Sequence, residues 1–358
     1  MGDLFALDAH VIPWAVLIGA IVGFLSGLFG VGGGFLLTPL VNTFLGVPYT
    51  MTVGSDVTQI LGTSGAALLR HRKQGNRPAV AVAGTALAGM ILGQIGGNLI
   101  MARVDGFAPV HVLGRSLPVA EGLLPALFGA VLTVLAVFMF FESRRALRRK
   151  GPSPERVGFF ARVPVPPRLA GGASGPCVFL AGGVIGFLSA LFGIAGGVIM
   201  LPLFVYLVGL STRAAVSTSL LVVLLGSLVN SAQKAWMGHV NLALVMSLLV
   251  SSTFGAQIGA GLSVRLAGAR LRRYFVLVIL AGVGVVAYKV YSVLRGRVPT
   301  EAPIVELTTP ERLLRVVLCL AVPLLWAPFS YWLFGRLRRG RAQGPSLPGE
   351  SSSASGAE

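Results

Sequence analysis

Two glycine clusters inside long apolar stretches are the residues of this chain best suited to chemistry. They span residues 30–34 (Gly-Val-Gly-Gly-Gly) and residues 193–197 (Gly-Ile-Ala-Gly-Gly). Several glycines together break a helix, because each costs about 1 kcal/mol relative to alanine in a helix interior. The helix that restarts after the break has unpaired backbone N–H groups and partial positive charge at its N-terminus. Such an end can bind an anion without a lysine or arginine.

Polar residues near the two clusters complete the predicted site. The predicted substrate-binding residues are Ser26, Gly32, Gly33, Gly34, Thr38, Gln94, Ser189, Gly196, Gly197 and Gln257. Each has a structural alternative: a serine can bond to its own helix, a glutamine can join two helices, and glycines can allow close helix packing. The sequence leaves these alternatives open.

Asp56 is the one clear acidic residue near the start of an apolar helix, within the sequence Gly-Ser-Asp-Val-Thr at residues 54–58. A lone carboxylate within the membrane is a candidate proton carrier, so Asp56 is the predicted ion-coupling residue. The alternative is that Asp56 caps the N-terminus of this helix.

The composition indicates a membrane protein with several helices. The 358 residues are 54% hydrophobic and 11% charged, whereas a soluble domain is about a quarter charged. Four apolar runs are long enough to cross a bilayer, at residues 79–100, 122–141, 274–294 and 316–334. The net charge of +17 comes from basic residues in short loops, which favours contact with anionic lipids over nucleic-acid binding.

An internal repeat organises the chain. Residues 23–100 align without a gap with residues 186–263, and roughly a quarter of the positions are identical. The basic loops do not match between the two copies: residues 70–77 hold four basic residues, whereas the equivalent residues 233–240 hold one. Because cytoplasmic loops collect lysine and arginine, equivalent loops are expected on opposite sides of the membrane. The repeat is therefore predicted to have inverted topology.

The fold class predicted from this pattern is all-α and polytopic, with two inverted repeats of five hydrophobic segments each and one C-terminal helix. Each repeat is predicted to contain a helical hairpin broken by glycine. The predicted domains are an N-terminal repeat (1–141), a basic cytoplasmic linker (142–177), a C-terminal repeat (178–294), an external loop with a final helix (295–335) and a basic tail (336–358). The N-terminus is predicted outside and the C-terminus in the cytoplasm.

The two glycine clusters and the proline that follows each, Pro39 and Pro202, resemble the TauE/SafE family of bacterial membrane permeases, also called sulfite exporters. A Thr-Ser-Leu element of the family is similar to residues 218–220, and residues 55–57 read Ser-Asp-Val instead. The resemblance implies a multi-pass protein of the bacterial plasma membrane. It also implies ion-coupled transport of sulfur-containing oxyanions such as sulfite or sulfonates.

The predicted function is a secondary transporter, and an exporter, of small sulfur-containing or other organic anions. The anion is expected to bind between the hairpin tips, near the middle of the membrane. The alternative is a channel-like or scaffolding membrane protein whose glycines serve only helix packing. Because no catalytic motif is present and Cys177 and Cys319 form no ligand pattern, no enzyme activity, metal or cofactor is expected. The expected partners are a small anion and anionic lipids. The sequence is compatible with a homo-oligomer.

Overall fold

A computed structural model of the chain is helical almost throughout. It describes residues 10–29, 34–73, 75–108, 110–112, 115–148, 174–194, 196–263, 268–295 and 308–342. The described residues of the first half form five α-helices: α1 (Val11–Phe29), α2 (Gly34–Phe44), α3 (Tyr49–Lys73), α4 (Val80–Met101) and α5 (Leu124–Arg148). Those of the second half form six: α6 (Gly175–Phe192), α7 (Gly197–Pro202), α8 (Thr212–Trp236), α9 (Leu242–Ser263), α10 (Gly268–Leu294) and α11 (Thr309–Ala342).

Eight helices in the described part of the chain are long and apolar enough to cross a membrane. They are α1, α4, α5 with the π-helical turn before it (Val119–Leu123), α6, α8, α9, α10 and α11. The predicted multi-pass, all-helical class is therefore confirmed. The helix α3 is not among the eight because its first half is polar, although its 25 residues would reach across a bilayer at about 1.5 Å per residue.

Helices of the two halves pack against each other along glycine-lined faces. In the pair α1 and α9, a Cβ atom on Gly23 would lie 2.2 Å from the carbonyl oxygen of Ser252. In the pair α4 and α6, a Cβ atom on Gly93 would lie 1.9 Å from the carbonyl oxygen of Gly183. Such distances are too short for any side chain, so the backbones touch directly. Each pair joins the first helix of one sequence repeat to the fourth helix of the other.

The second glycine cluster lies between two helices. Helix α6 ends at Phe192, and Gly193 follows in the left-handed region with φ +70°. Gly196 is also left-handed, with φ +72°, and α7 begins at Gly197. Glycine adopts this conformation without the steric cost that a Cβ atom brings. In the first cluster, α1 ends at Phe29 and α2 begins at Gly34, and residues 30–33 lie outside the described part.

Two local features differ from the helices predicted by sequence. The returning arm of the second predicted hairpin is not one helix: it is α7 followed by a π-helix (Leu203–Val208), which ends at the left-handed Gly209. The expected loop at residues 101–117 contains a short antiparallel ribbon of β1 (Val110–Val112) and β2 (Arg115–Leu117).

Candidate functional site

The polar helix α3 lies at the centre of the bundle. It contacts α2, α8, α9 and α11, and nearly every residue in its first 17 positions is buried. Hydrogen bonds tie its polar side chains to three neighbours. The backbone N–H of Asn241 donates to Ser55 Oγ at 3.0 Å, Thr58 Oγ1 lies 2.8 Å from Ser231 Oγ, and Gln59 Nε2 donates to Ser252 Oγ at 2.6 Å. A buried polar helix in a membrane protein is typical of a functional site, because polar groups there are costly.

Asp56 is on this helix and is 1% exposed. Its Oδ2 accepts a hydrogen bond of 2.8 Å from Thr38 Oγ1 on α2. Its Oδ1 makes no hydrogen bond to any described residue. Because α3 begins at Tyr49, two turns before Asp56, the interpretation of Asp56 as an N-terminal cap is wrong. What remains is a carboxyl group buried within the helix bundle.

The two glycine breaks meet beside Asp56. A Cβ atom on Gly34, the first residue of α2, would lie 3.0 Å from the Gly193 carbonyl oxygen and 3.6 Å from Asp56 Oδ1. A Cβ atom on Gly193 would lie 2.7 Å from Thr38 Oγ1. The structure therefore brings Gly34, Thr38 and Asp56 of the first half together with Gly193 of the second.

The other side of the second break lies among apolar and sulfur-containing side chains. A Cβ atom on Gly196 would lie 2.9 Å from Ile185, 3.6 Å from Met200 and 3.8 Å from the Met90 methyl group. Gln94, one turn along α4 from Met90, is fully buried, and neither its amide nitrogen nor its oxygen bonds to a described residue. The side-chain amide of Gln94 is therefore buried without the hydrogen bonds that such groups normally make.

The remaining predicted residues are spread around the bundle. Gln257, the repeat equivalent of Gln94, accepts a hydrogen bond from Arg70, as expected for a contact between helices. Ser26 is partly exposed on α1, Ser189 is buried on α6, and Gly197 is the first residue of α7. Gly32 and Gly33 lie outside the described residues.

A buried ion pair was not predicted from the sequence. Lys289 Nζ on α10 lies 3.0 Å from Glu121 Oε2, and both side chains are buried. Glu121 also accepts hydrogen bonds from Asn42 Nδ2 on α2 at 3.1 Å and from the backbone N–H of Tyr49 at 2.6 Å. The pair therefore holds the junction between α2 and α3. Its signal in the sequence is Lys289 itself, a lone charge inside the apolar run 274–294.

The site contains a buried carboxyl group, a hydroxyl group and backbone groups at two helix breaks. Among the described residues, no three histidine, cysteine or acidic side chains lie close enough to hold a metal ion. These groups can bind a small polar ligand through hydrogen bonds, and the carboxyl group can take up and release a proton.

A family model described as sulfite exporter TauE/SafE matches residues 15–286. A probable membrane transporter protein of Xylella fastidiosa (strain Temecula1) is 28% identical over 271 residues, which are 74% of this chain and 90% of that protein. A probable membrane transporter protein of Methanocaldococcus jannaschii is 26% identical over 197 residues, 54% of this chain and 61% of that protein.

The probable membrane transporter protein YunE of Bacillus subtilis (strain 168) is 36% identical over 80 residues, 22% of this chain and 29% of that protein. No solved structure matches. The family match covers most of the chain, including both glycine breaks and Asp56. The chain therefore belongs to the sulfite exporter TauE/SafE family of membrane transporters.

Proposed function

We propose that this protein is an ion-coupled secondary transporter, and an exporter, of small sulfur-containing or other organic anions. The observation that carries the proposal is the meeting of the two glycine breaks, at Gly34 and Gly193, beside the buried carboxyl group of Asp56. Helix α2 has 11 residues, or about 16 Å, roughly half the hydrocarbon thickness. Its N-terminal end would therefore lie near the middle of the membrane in a plasma-membrane protein whose N-terminus is outside.

Asp56 and a bound anion would compete for the same helix end. The Oδ1 atom of Asp56 lies beside Gly34, where the dipole of α2 stabilises negative charge. A second negative charge at this end would be repelled by an ionised Asp56, because the water that would screen the two charges is largely excluded. Protonation of Asp56 removes the repulsion. The proposed coupling is therefore that one proton binds Asp56 when the anion binds.

The membrane potential would then favour export. A divalent anion that moves with one proton carries a net charge of −1. An inside-negative potential favours its exit by about 2.3 kcal/mol per 100 mV. For a monovalent anion the complex is neutral, and the gradients of the anion and of protons set the direction.

The experiment is uptake of radiolabelled sulfite into liposomes that contain the purified protein, with and without imposed pH gradients and potentials. Gly34→Ala is the test variant, because its methyl group would lie 2.6 Å from Ile60 Cδ1 and 3.0 Å from the Gly193 carbonyl oxygen, beside Asp56. Gly84→Ala is the matched control, because no described atom lies within 4 Å of its added methyl group. We expect saturable flux that the Gly34 variant loses and the Gly84 variant keeps. Equal flux in both variants would exclude the proposed site.

Two glycines outside the breaks favour the alternative function, a channel-like or scaffolding protein whose glycines serve helix packing. Backbone atoms of α9 occupy the positions that side chains on Gly23 and Gly27 of α1 would take, which favours the packing interpretation for these two residues. A scaffold predicts no flux in the liposome assay. A channel predicts flux that does not saturate and that no pH gradient can drive against the anion's own electrochemical gradient.

A further inference from the structure

The seam between α4 and α8 contains a row of buried polar groups. On α8, Gly226, Asn230 and Lys234 are spaced four residues apart and so lie on one face. They cover about 12 Å along the helix axis. Asn230 and Lys234 are both fully buried.

The facing side of α4 carries Gln94 and Asn98, again four residues apart. Asn98 Nδ2 donates to Asn230 Oδ1 at 2.9 Å, which joins the two rows. A Cβ atom on Gly226 would lie 3.3 Å from Gln94 Nε2, so these residues also face each other. The Met90 side chain occupies the position that a Gly226 side chain would take, because its Sδ and Cε atoms would lie 2.7 Å from that Cβ atom.

Five polar atoms in this seam make no hydrogen bond to any described residue. They are both amide atoms of Gln94, Asn98 Oδ1, Asn230 Nδ2 and Lys234 Nζ. Buried polar side-chain atoms are nearly always satisfied in folded proteins. Five unsatisfied atoms on one seam indicate a place where polar ligands bind.

Lys234 determines the charge of that ligand. Its side chain is 0% exposed, and neither buried carboxyl group in the described chain serves it. Glu121 is paired with Lys289, and Asp56 accepts a hydrogen bond from Thr38. A buried ammonium group without a counterion is costly, and an anion removes most of that cost.

We propose that the seam between α4 and α8 is a binding site for a small oxyanion, with Lys234 Nζ as its cationic donor and Asn230 Nδ2 as its neutral donor. Asn98 orients the Asn230 amide, because Asn98 Nδ2 donates to Asn230 Oδ1. An anion of the size of sulfite or a short sulfonate suits this pair, because Asn230 and Lys234 lie one helical turn apart on α8. Binding at this site stands on the contacts above. Its place on a transport route rests on the proposed function.

Two arginines and one carboxylate, Glu311, lie on the start of α11 near the Lys234 end of α8. Arg312 on α11 lies over the ring of Trp236 at 5.9 Å, and the buried Arg315 lies one turn further along α11. Burial and the nearby Lys234 lower the pKa of His239 to about 3, so this imidazole is neutral at physiological pH. Basic residues around a cleft raise the local concentration of anions.

The inner end of the seam reaches the second glycine break. Met90 lies one turn before Gln94 on α4, and its methyl group would be 3.8 Å from a Cβ atom on Gly196. The seam thus extends from the Lys234 end of α8 to Gly196, on the apolar side of the second break. An anion that leaves Lys234 would move past Gln94 towards Gly196.

The test is anion binding to the purified full-length protein in lipid nanodiscs, measured by calorimetry and by the thermal unfolding temperature. The probes are sulfite and methanesulfonate, with chloride as the reference. We expect Lys234→Met to weaken binding by about tenfold or more, because it removes a hydrogen bond to a charged group. Lys234→Arg should stay within a few-fold of wild type. Lys73→Met is the control, because Lys73 is an exposed lysine in the last turn of α3, away from the seam. This variant should bind the anions as wild type does.

Asn230→Asp tests the same site without removing the lysine. The new carboxylate, one turn from Lys234, would supply the counterion within the protein. We expect a higher unfolding temperature without anion and no further rise when sulfite or methanesulfonate is added. A folded Lys234→Met protein that binds as tightly as wild type, or a wild-type protein that binds neither probe, would overturn the proposal.

Sulfite flux through liposomes separates this proposal from the proposed function. If wild-type protein transports sulfite while Lys234→Met binds and transports equally well, the seam site is wrong and the transport function stands. If wild-type protein binds through Lys234 but carries no anion, the site is right and the transport function is wrong.

Discussion

Asp56 is the residue whose chemistry most directly tests ion coupling. Replacing it with asparagine keeps the shape and leaves a group that Thr38 can still contact, but it removes the exchangeable proton. We expect Asp56→Asn protein to bind anion with little pH dependence and to lose pH-driven accumulation or extrusion. Fluorescence of a pH indicator inside the liposomes, recorded together with anion flux, measures this coupling.

Thr38→Val provides the control for the Asp56 prediction. It removes the donor to Asp56 Oδ2 and keeps the carboxyl group, so coupling should persist with a changed pH dependence. Full gradient-driven transport by a well-folded Asp56→Asn protein would remove the proton-carrying role.

The ion pair of Lys289 and Glu121 gives a prediction about stability. Lys289→Met leaves the buried carboxylate of Glu121 without its counterion, which should cost about 3–5 kcal/mol. The double variant Lys289→Met with Glu121→Gln should recover a large part of that loss, because no uncompensated charge remains. Unfolding in mild detergent measures both. Equal stability of the single and double variants would mean that the charges do not interact in the folded protein.

The sequence predicted some of these residues and missed others for a physical reason. Asp56, Thr38 and Gly34 were found because they lie next to a local signal, the glycine cluster or the start of an apolar run. Glu121 and Lys289 are far apart in sequence, and only folding brings them together. Lys234 was seen only as an unmatched loop charge, since a helix that extends to Trp236 and buries it cannot be inferred from composition.

At the scale of the helices, the glycine-lined pairs should be sensitive to added volume. Gly23→Ala places a methyl group against the Ser252 backbone, which should destabilise the protein by about 1–3 kcal/mol. Gly84→Ala, on an open face of α4, should be neutral or slightly stabilising because alanine favours helix. Thermal unfolding of the two variants side by side makes the comparison. Equal unfolding temperatures would show that α1 and α9 are not packed closely in the membrane.

The positions of helices could be predicted where a long run of apolar residues forms the helix. The limits of α4 differ by one residue at each end from the apolar run at residues 79–100. The π-helix at Leu203–Val208 was not predictable, because its apolar residues suit an ordinary helix equally well. The length of α3 was underestimated at both ends, since polar residues at its start and basic residues at its end resemble loops.

In the whole molecule, the two halves pack against each other in a reciprocal pattern of equivalent helices. The first helix of each half packs on the fourth helix of the other, and α3 packs on its repeat equivalent, α8. This pattern supports the predicted duplication, and the inverted orientation of the two copies remains a prediction. The final helix α11 has no repeat equivalent and packs against α3 and α8.

The contacts of helix ends agree with a single threading of the chain. The Lys73 ammonium lies 4.5 Å from the centre of the Tyr331 ring, so the last turns of α3 and α11 are at the same end of the bundle. The first turn of α3 lies with the turn between α8 and α9, because the backbone N–H of Asn241 donates to Ser55. Helix termini that lie together at one end of the bundle must be on the same side of the membrane.

The last prediction concerns which side that is. Inverted topology requires cysteines introduced at Lys73 and Arg270 to face the cytoplasm, and cysteines at Asp105 and Glu306 to face outside. The native Cys177 and Cys319 are first replaced by serine and alanine, respectively. A membrane-impermeant maleimide should label positions 105 and 306 in intact cells, and label positions 73 and 270 only after the membrane is opened. Labelling of position 73 in intact cells would contradict the inverted repeat.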